Sequence, residues 1–128
     1  MHDMFFECES LKELNLNNFI TNTVTKMDYM FYDCSSLKEL NLNNFNTNNV
    51  TDMRGMFFQC HSLIKIDINN FKNINTTNMG GMFLNCSSLT ELNIINFNTD
   101  NVKNKTLMFE ECSEKLKMKI KALNKNLI

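Results

Sequence analysis

Cys8, Cys34, Cys60, Cys86 and Cys112 are the side chains with the most chemical potential in this sequence, and each lies 26 residues from the next. A thiol can attack an electrophile or hold a metal once it is a thiolate, or it can form a disulfide. The spacing argues against all three uses. Zinc sites bring two ligands together in a C-x2–4-C step, which a 26-residue interval does not supply. Five is an odd number, so the cysteines cannot all pair within one chain. Neighbouring repeats could bring two Cα atoms within disulfide range, but their side chains would point in parallel. Cys60 and His61 are adjacent and would face different sides of a helix, which disfavours a shared metal. The expected arrangement is a column of buried thiols acting as small hydrophobes.

Other candidate groups are equally poor in chemistry. His2 and His61 have no recurring carboxylate or hydroxyl partner, and both are expected to be solvated. Glu13, Glu39 and Glu91 recur at repeat spacing and so form a column on a sheet, not a matched acid and base. Gly55, Gly80 and Gly81 make no phosphate loop. No catalytic residue, metal site or cofactor is expected.

What positions these residues is an internal repeat. Met4, Met30, Met56, Met82 and Met108 keep the 26-residue step, as do Phe5, Phe31, Phe57, Phe83 and Phe109. Leu14, Leu40, Ile66, Leu92 and Met118 keep it too, with Leu16, Leu42, Ile68, Ile94 and Ile120. Phe19, Phe45, Phe71, Phe97 and Leu123 complete the set, without one insertion or deletion. The chain therefore reads as a single repeat domain over 1–128, with units near 1–26, 27–52, 53–78, 79–104 and 105–128. In one unit, Met53, Met56, Phe57 and Cys60 follow the i, i+3, i+4, i+7 spacing of a helix face. Asn49 or Thr51 would cap that helix, and Asp52 would suit its positive end. Leu40 and Leu42 alternate with polar residues as in a short strand. Such a unit is too small to fold alone, and stacking its copies gives a solenoid with one parallel sheet and short helices opposite.

Composition narrows the partners. The 128 residues carry 13 Lys plus Arg against 14 Asp plus Glu, a net charge of −1. That balance argues against general nucleic-acid or anionic-membrane binding. No apolar run approaches the length of a membrane span, and the acidic start lacks the apolar stretch of a signal peptide.

The pattern N-V-T-x-M-x-x-M-F-x-x-C-x-S-L-x-E-L-N-L-x-N-F-x-T, with L-x-x-L-x-L at 37–42, 63–68 and 89–94, resembles the BspA-like branch of leucine-rich repeats. That family comprises bacterial and protist surface proteins, lipoproteins among them. The resemblance covers residues 1–123. It implies a mixed α/β solenoid, a right-handed coil with one parallel sheet, located at the cell surface or outside the cell and serving adhesion or protein interaction. The chain departs from the usual repeat by placing Phe19, Phe45, Phe71 and Phe97 where an Asn or Cys ladder would stand. The preceding Asn18, Asn44, Asn70 and Asn96 are expected to satisfy the turn backbone instead.

The expected binding face is the outer side of the strands: Glu39, Asn41, Asn43; Lys65, Asp67, Asn69; Glu91, Asn93, Ile95; and Lys117 with Lys119. Lys65, Asp67 and Ile95 break the repeat consensus and are the residues best placed to discriminate a partner. Lys115, Lys117, Lys119 and Lys121 alternate with Leu116, Met118 and Ile120, which predicts a fifth strand guarded by lysines against further pairing. The first unit has no cap, so end-to-end association through that face is also expected. The alternative to an interaction segment is a purely structural array segment or gene fragment with no ligand of its own.

Overall fold

The computed structural model describes all 128 residues. Its backbone is held together by hydrogen bonds between successive 26-residue coils. Phe5, Phe31, Phe57 and Phe83 each donate an N–H to the carbonyl of Met30, Met56, Met82 and Met108 in the next coil, all at 2.9 Å. The residues two before and two after do the same, as Tyr29 does to Arg54 at 3.0 Å and Asp33 to Phe58 at 2.8 Å. The amides between them close tight turns, Tyr32 onto Tyr29 at 3.1 Å and Cys34 onto Phe31 at 3.2 Å.

This pattern replaces the helix expected over the Met-Phe-Cys segment. Two positions per coil adopt the left-handed conformation: Asp3, Tyr29, Gly55, Gly81 and Leu107, then Glu7, Asp33, Gln59, Asn85 and Glu111. A residue with positive φ every fourth position interrupts a right-handed helix. The same inward side chains survive, because a run of overlapping turns also returns Met53, Met56, Phe57 and Cys60 to the core at 0% exposure. The capping roles predicted for the helix are not used. Asn49 Nδ2 donates to the Asn22 carbonyl at 2.7 Å, Thr51 Oγ1 to that of Thr25 at 3.1 Å, and Asp52 Oδ1 accepts the Arg54 N–H at 3.1 Å.

Three strands form the sheet: β1 (Glu39–Asn41), β2 (Lys65–Asp67) and β3 (Glu91–Asn93), parallel and in the order β1-β2-β3. Glu39 pairs with Lys65 and Lys65 with Glu91, so the register advances by one repeat. Leu40 and Ile66 point inward between exposed neighbours, as the alternation predicted. The first unit contributes no strand. A second parallel contact, Lys26–Asp52–Asn78–Asn104, ties the coils together at the entry to each turn segment.

The core is continuous through all five units. Phe5, Phe31, Phe57, Phe83 and Phe109 stack face to face with centroids 5.2–5.6 Å apart. Between coils, Asn side chains bond the backbone carbonyls of the coil before. Asn44 Nδ2 reaches the carbonyls of Leu16, Asn17 and Phe19 at 2.9–3.3 Å, and Asn70 Nδ2 reaches those of Leu42, Asn43 and Phe45 at 2.9–3.3 Å. The expectation for this column holds at Asn44 and Asn70. At Asn96 the side chain makes none of these bonds, and its backbone N–H donates to Asn69 Oδ1 at 3.2 Å instead.

The fifth unit ends differently from the prediction. Residues Glu114–Leu123 form a helix, α1, not a lysine-guarded strand. The Ser113 hydroxyl caps it by accepting the Leu116 N–H at 3.3 Å, Glu114 lies in its first turn and Lys121 in its last. Leu116 and Ile120, one helical turn apart, are buried in the core, whereas Met118 is 72% exposed. Alternating Lys and apolar residues fit either period over so short a stretch, and the Ser cap with an i, i+4 apolar pair decides for the helix. Lys119 Nζ donates to the Thr90 carbonyl at 3.3 Å and pins α1 to the coil before.

Three substitutions probe these contacts. A Cβ on Gly55 would lie 2.4 Å from the Tyr29 ring on a residue with φ of +57°. Gly55→Ala is expected to lower stability by about 2 kcal/mol or more in urea titrations, partly recovered by adding Tyr29→Ala. Asn44→Ala, which removes three bonds to carbonyls, is expected to lower stability by about 1–3 kcal/mol. Asn96→Ala should change it by less than about 0.5 kcal/mol.

Candidate binding face

The first residues of the three strands, Glu39, Lys65 and Glu91, lie side by side in register and point to solvent. Lys65 Nζ approaches Glu91 Oε2 at 3.6 Å with both side chains 61% exposed, so this pair contributes little to stability. Glu39 forms no ion pair. The row therefore presents alternating charge that a partner can reach.

The next outward row behaves differently. Asn41 Oδ1 accepts the Asn43 N–H at 3.0 Å, Asp67 Oδ1 that of Asn69 at 2.9 Å, and Asn93 Oδ1 that of Ile95 at 3.5 Å. These side chains shape the turn that follows each strand, a local use natural to Asn and Asp. The Asn43 carbonyl and Asn69 Oδ1 are also engaged, with Asn70 Nδ2 and the Asn96 N–H. Ile95 is free and 77% exposed.

Lys117 and Lys119 do not belong to this face. Both sit on α1, because the strand expected to carry them is a helix. Lys117 Nζ bonds Glu114 Oε1 at 3.1 Å, a contact that raises the lysine above its ordinary range, and Lys119 is held by the Thr90 carbonyl.

A groove of about 830 Å³ runs along the face of β1 and β2, and Glu91, Asn93 and Ile95 do not line it. Besides the strand residues it is bordered by Lys12, Lys38, Ser36, Ser62 and Ile64, which the outward-strand reading omitted. Their signal was present in the repeat: Lys12 and Lys38 occupy one column, Ser36 and Ser62 another, just before each strand. Three lysines (12, 38 and 65) and three carboxylates (Glu13, Glu39 and Asp67) line it, so the groove is balanced in charge.

The cysteines form the expected interior column and all five are free. Cys34, Cys60, Cys86 and Cys112 donate Sγ–H to the carbonyls of Phe5, Phe31, Phe57 and Phe83 at 3.0–3.2 Å. Burial raises Cys34 to about 12 and Cys112 to about 11 from an ordinary value of 9.0, and pushes Cys60 and Cys86 up as well. Protonated thiols spent on backbone carbonyls are structural groups, not nucleophiles.

His2 departs from the expectation of a histidine without partners. Its Nδ1 lies 2.6 Å from Oδ2 of Asp28, a carboxylate whose side chain is 3% exposed, and its Nε2 lies 2.8 Å from Asp3 Oδ2. Arg54 approaches the same Asp28 oxygen at 4.0 Å and lies over the Tyr29 ring at 5.8 Å. The column His2–Asp28–Arg54 thus sets a buried carboxylate between nitrogen-bearing side chains of the coils on either side. His61 is half-buried beside the groove residue Ser62.

The thiol column has a consequence for pH. An unfolded thiol ionises near 9.0 and the folded ones well above it, so their contribution is complete below pH 9. It is lost as pH rises from about 9 toward 11, by about 1.4 kcal/mol per thiol and pH unit. Urea midpoints are expected to fall steeply between pH 9 and pH 10.5, and Cys→Ala replacement in the column should flatten that fall.

No helix is long and apolar enough to cross a membrane. Among curated proteins, none matches the chain. Among solved structures, the chain is similar to a leucine-rich repeat protein from Bacteroides ovatus ATCC 8483, with 20% identity and a TM-score of 0.42. The match covers 73% of this chain and spans 28% of that protein. A family described as "Mycoplasma protein of unknown function, DUF285" matches residues 1–123, and with its repeat carried through that whole stretch the chain belongs to this family.

Proposed function

We propose that the chain is a non-enzymatic protein-interaction segment of a surface protein of the BspA-like leucine-rich-repeat kind. It binds a polypeptide partner through the sheet face. The observation that carries this reading is the division of labour among the outward side chains. Asn41, Asp67 and Asn93 are occupied in turns, whereas Glu39, Lys65, Glu91 and Ile95 have no structural task that requires those residue types. A charge-balanced groove favours a partner segment carrying both signs over a polyanion. Contact strength per coil is modest, and affinity grows with the number of coils engaged.

The second reading is a structural array segment without a ligand. It is favoured by how many polar side chains are used between coils, as Asn44, Asn49, Asn70, Asn75 and Asn101 are. In either reading the first coil can associate with another molecule's coil. Met4 and Phe6 are 46% and 41% exposed there, whereas their counterparts in the second coil, Met30 and Tyr32, are buried and half-buried.

Display selection of binders to the intact chain separates the readings. Selected binders are expected to lose about tenfold or more in affinity on Lys65→Glu, which lines the groove, and on Ile95→Asp, in the exposed turn after β3, and nothing on Lys103→Glu, which belongs to neither. Binders indifferent to both face substitutions, or none selected, would leave the array reading standing.

A further inference from the structure

Two separate side-chain ladders fail at the same place, the corner between the third and fourth coils. In the Asn ladder, Asn44 and Asn70 each bond three carbonyls of the coil before, and Asn96 bonds none. In the neighbouring column, Thr21 Oγ1 accepts the Asn46 N–H at 2.7 Å and Thr47 Oγ1 accepts the Lys72 N–H at 3.2 Å. The third member of that column is Asn73, where Thr21, Thr47 and Thr99 stand in the other coils. Asn73 is 2% exposed, both of its side-chain polar atoms are unpaired, and its φ of +51° is shared by no other member of the column. The Asn98 N–H, which should be bonded next, has no acceptor there. Asn70 Oδ1 is buried and unpaired at the same corner. Leu92, across from fully packed Ile66, is only partly buried.

The fault is local. At the same step the Phe57–Phe83 stack is kept at 5.2 Å, the Phe57 N–H bonds Met82 at 2.9 Å, and Asn101 Nδ2 reaches the Ile74 carbonyl at 2.8 Å. Buried polar groups without partners make a closed state costly, and a corner held only by the Asn96 N–H to Asn69 Oδ1 at 3.2 Å and the Ile68 N–H to the Asn93 carbonyl at 3.3 Å opens at less loss than its neighbours. We infer that the corner formed by residues 68–73 and 94–99 is a built-in hinge, at which the fourth coil opens away from the third while the turn side stays closed. Asn73 is its determinant. A Thr hydroxyl at that position would accept the Asn98 N–H as its siblings do, once the local backbone returned to their conformation.

Hydrogen exchange on the intact chain tests this directly. In the wild type, segment 94–99 is expected to exchange about tenfold or more faster than the equivalent segments 42–47 and 68–73. Asn73→Thr should slow 94–99 to the rate of the other corners. The reverse substitution, Thr47→Asn, should speed segment 68–73 by a similar factor and leave 94–99 unchanged. Equal exchange of the three corners in the wild type overturns the hinge by itself. Faster exchange at 94–99 that ignores Asn73→Thr, in a variant whose circular-dichroism melt is cooperative, overturns the role of Asn73. If Asn73→Thr does not fold, an unchanged segment 68–73 in Thr47→Asn overturns that role instead.

Discussion

Every second amide of the turn segment donates to a carbonyl one coil ahead, and the rest of the fold depends on that bond. Buried backbone groups must be paired, and a coil of turns cannot pair them all internally. Each coil therefore has to return to the same place, in register, after 26 residues. A single inserted residue would displace every later donor from its acceptor. The left-handed residues at Tyr29 and Asp33 and their equivalents aim alternate amides at the next coil, which a helix would have turned along its own axis.

Once the coils are spaced by those bonds, the side-chain columns follow. The spacing suits stacked aromatic rings and lets each cysteine reach the phenylalanine carbonyl of the coil before. The same spacing lets an Asn amide cross to the preceding coil and bind three carbonyls at once. The high Asn content is thus largely a building material. It explains why a chain with so many polar residues folds around a core, and why few of those residues are free to meet a partner.

At the last unit the solution changes. The backbone leaves the repeat pattern after Cys112, and α1 packs Leu116 and Ile120 into the core. The helix takes with it the lysines that would otherwise have continued the charged row of the sheet. The free part of the face is thereby confined to β1, β2 and β3 and the turns beside them.

Much of this was legible in the sequence. The 26-residue columns named core residues from Met30 to Phe97, the parallel sheet, the buried thiols and the outward strand positions, because inward side chains repeat whenever coils repeat. The helix reading of Met53, Met56, Phe57 and Cys60 failed because apolar spacing reports which side chains face inward and not how the backbone pairs. Gly55 and Gly81 in one column, with Asp33 and Asn85 in another, carried the hint of left-handed turns. Lys117 and Lys119 were misplaced because Lys-apolar alternation over ten residues satisfies two periods. Which outward residues are free was beyond the sequence: Asn41 and Glu39 look alike there, and only the turn geometry ties up one and leaves the other. The sequence by itself determined the repeat, the register and the composition of the core, since these rest on periodicity. The tertiary structure decided the turn conformation, the terminal helix, the fault at Asn73 and the free residues of the face, since these rest on hydrogen bonds between groups 25 to 29 residues apart.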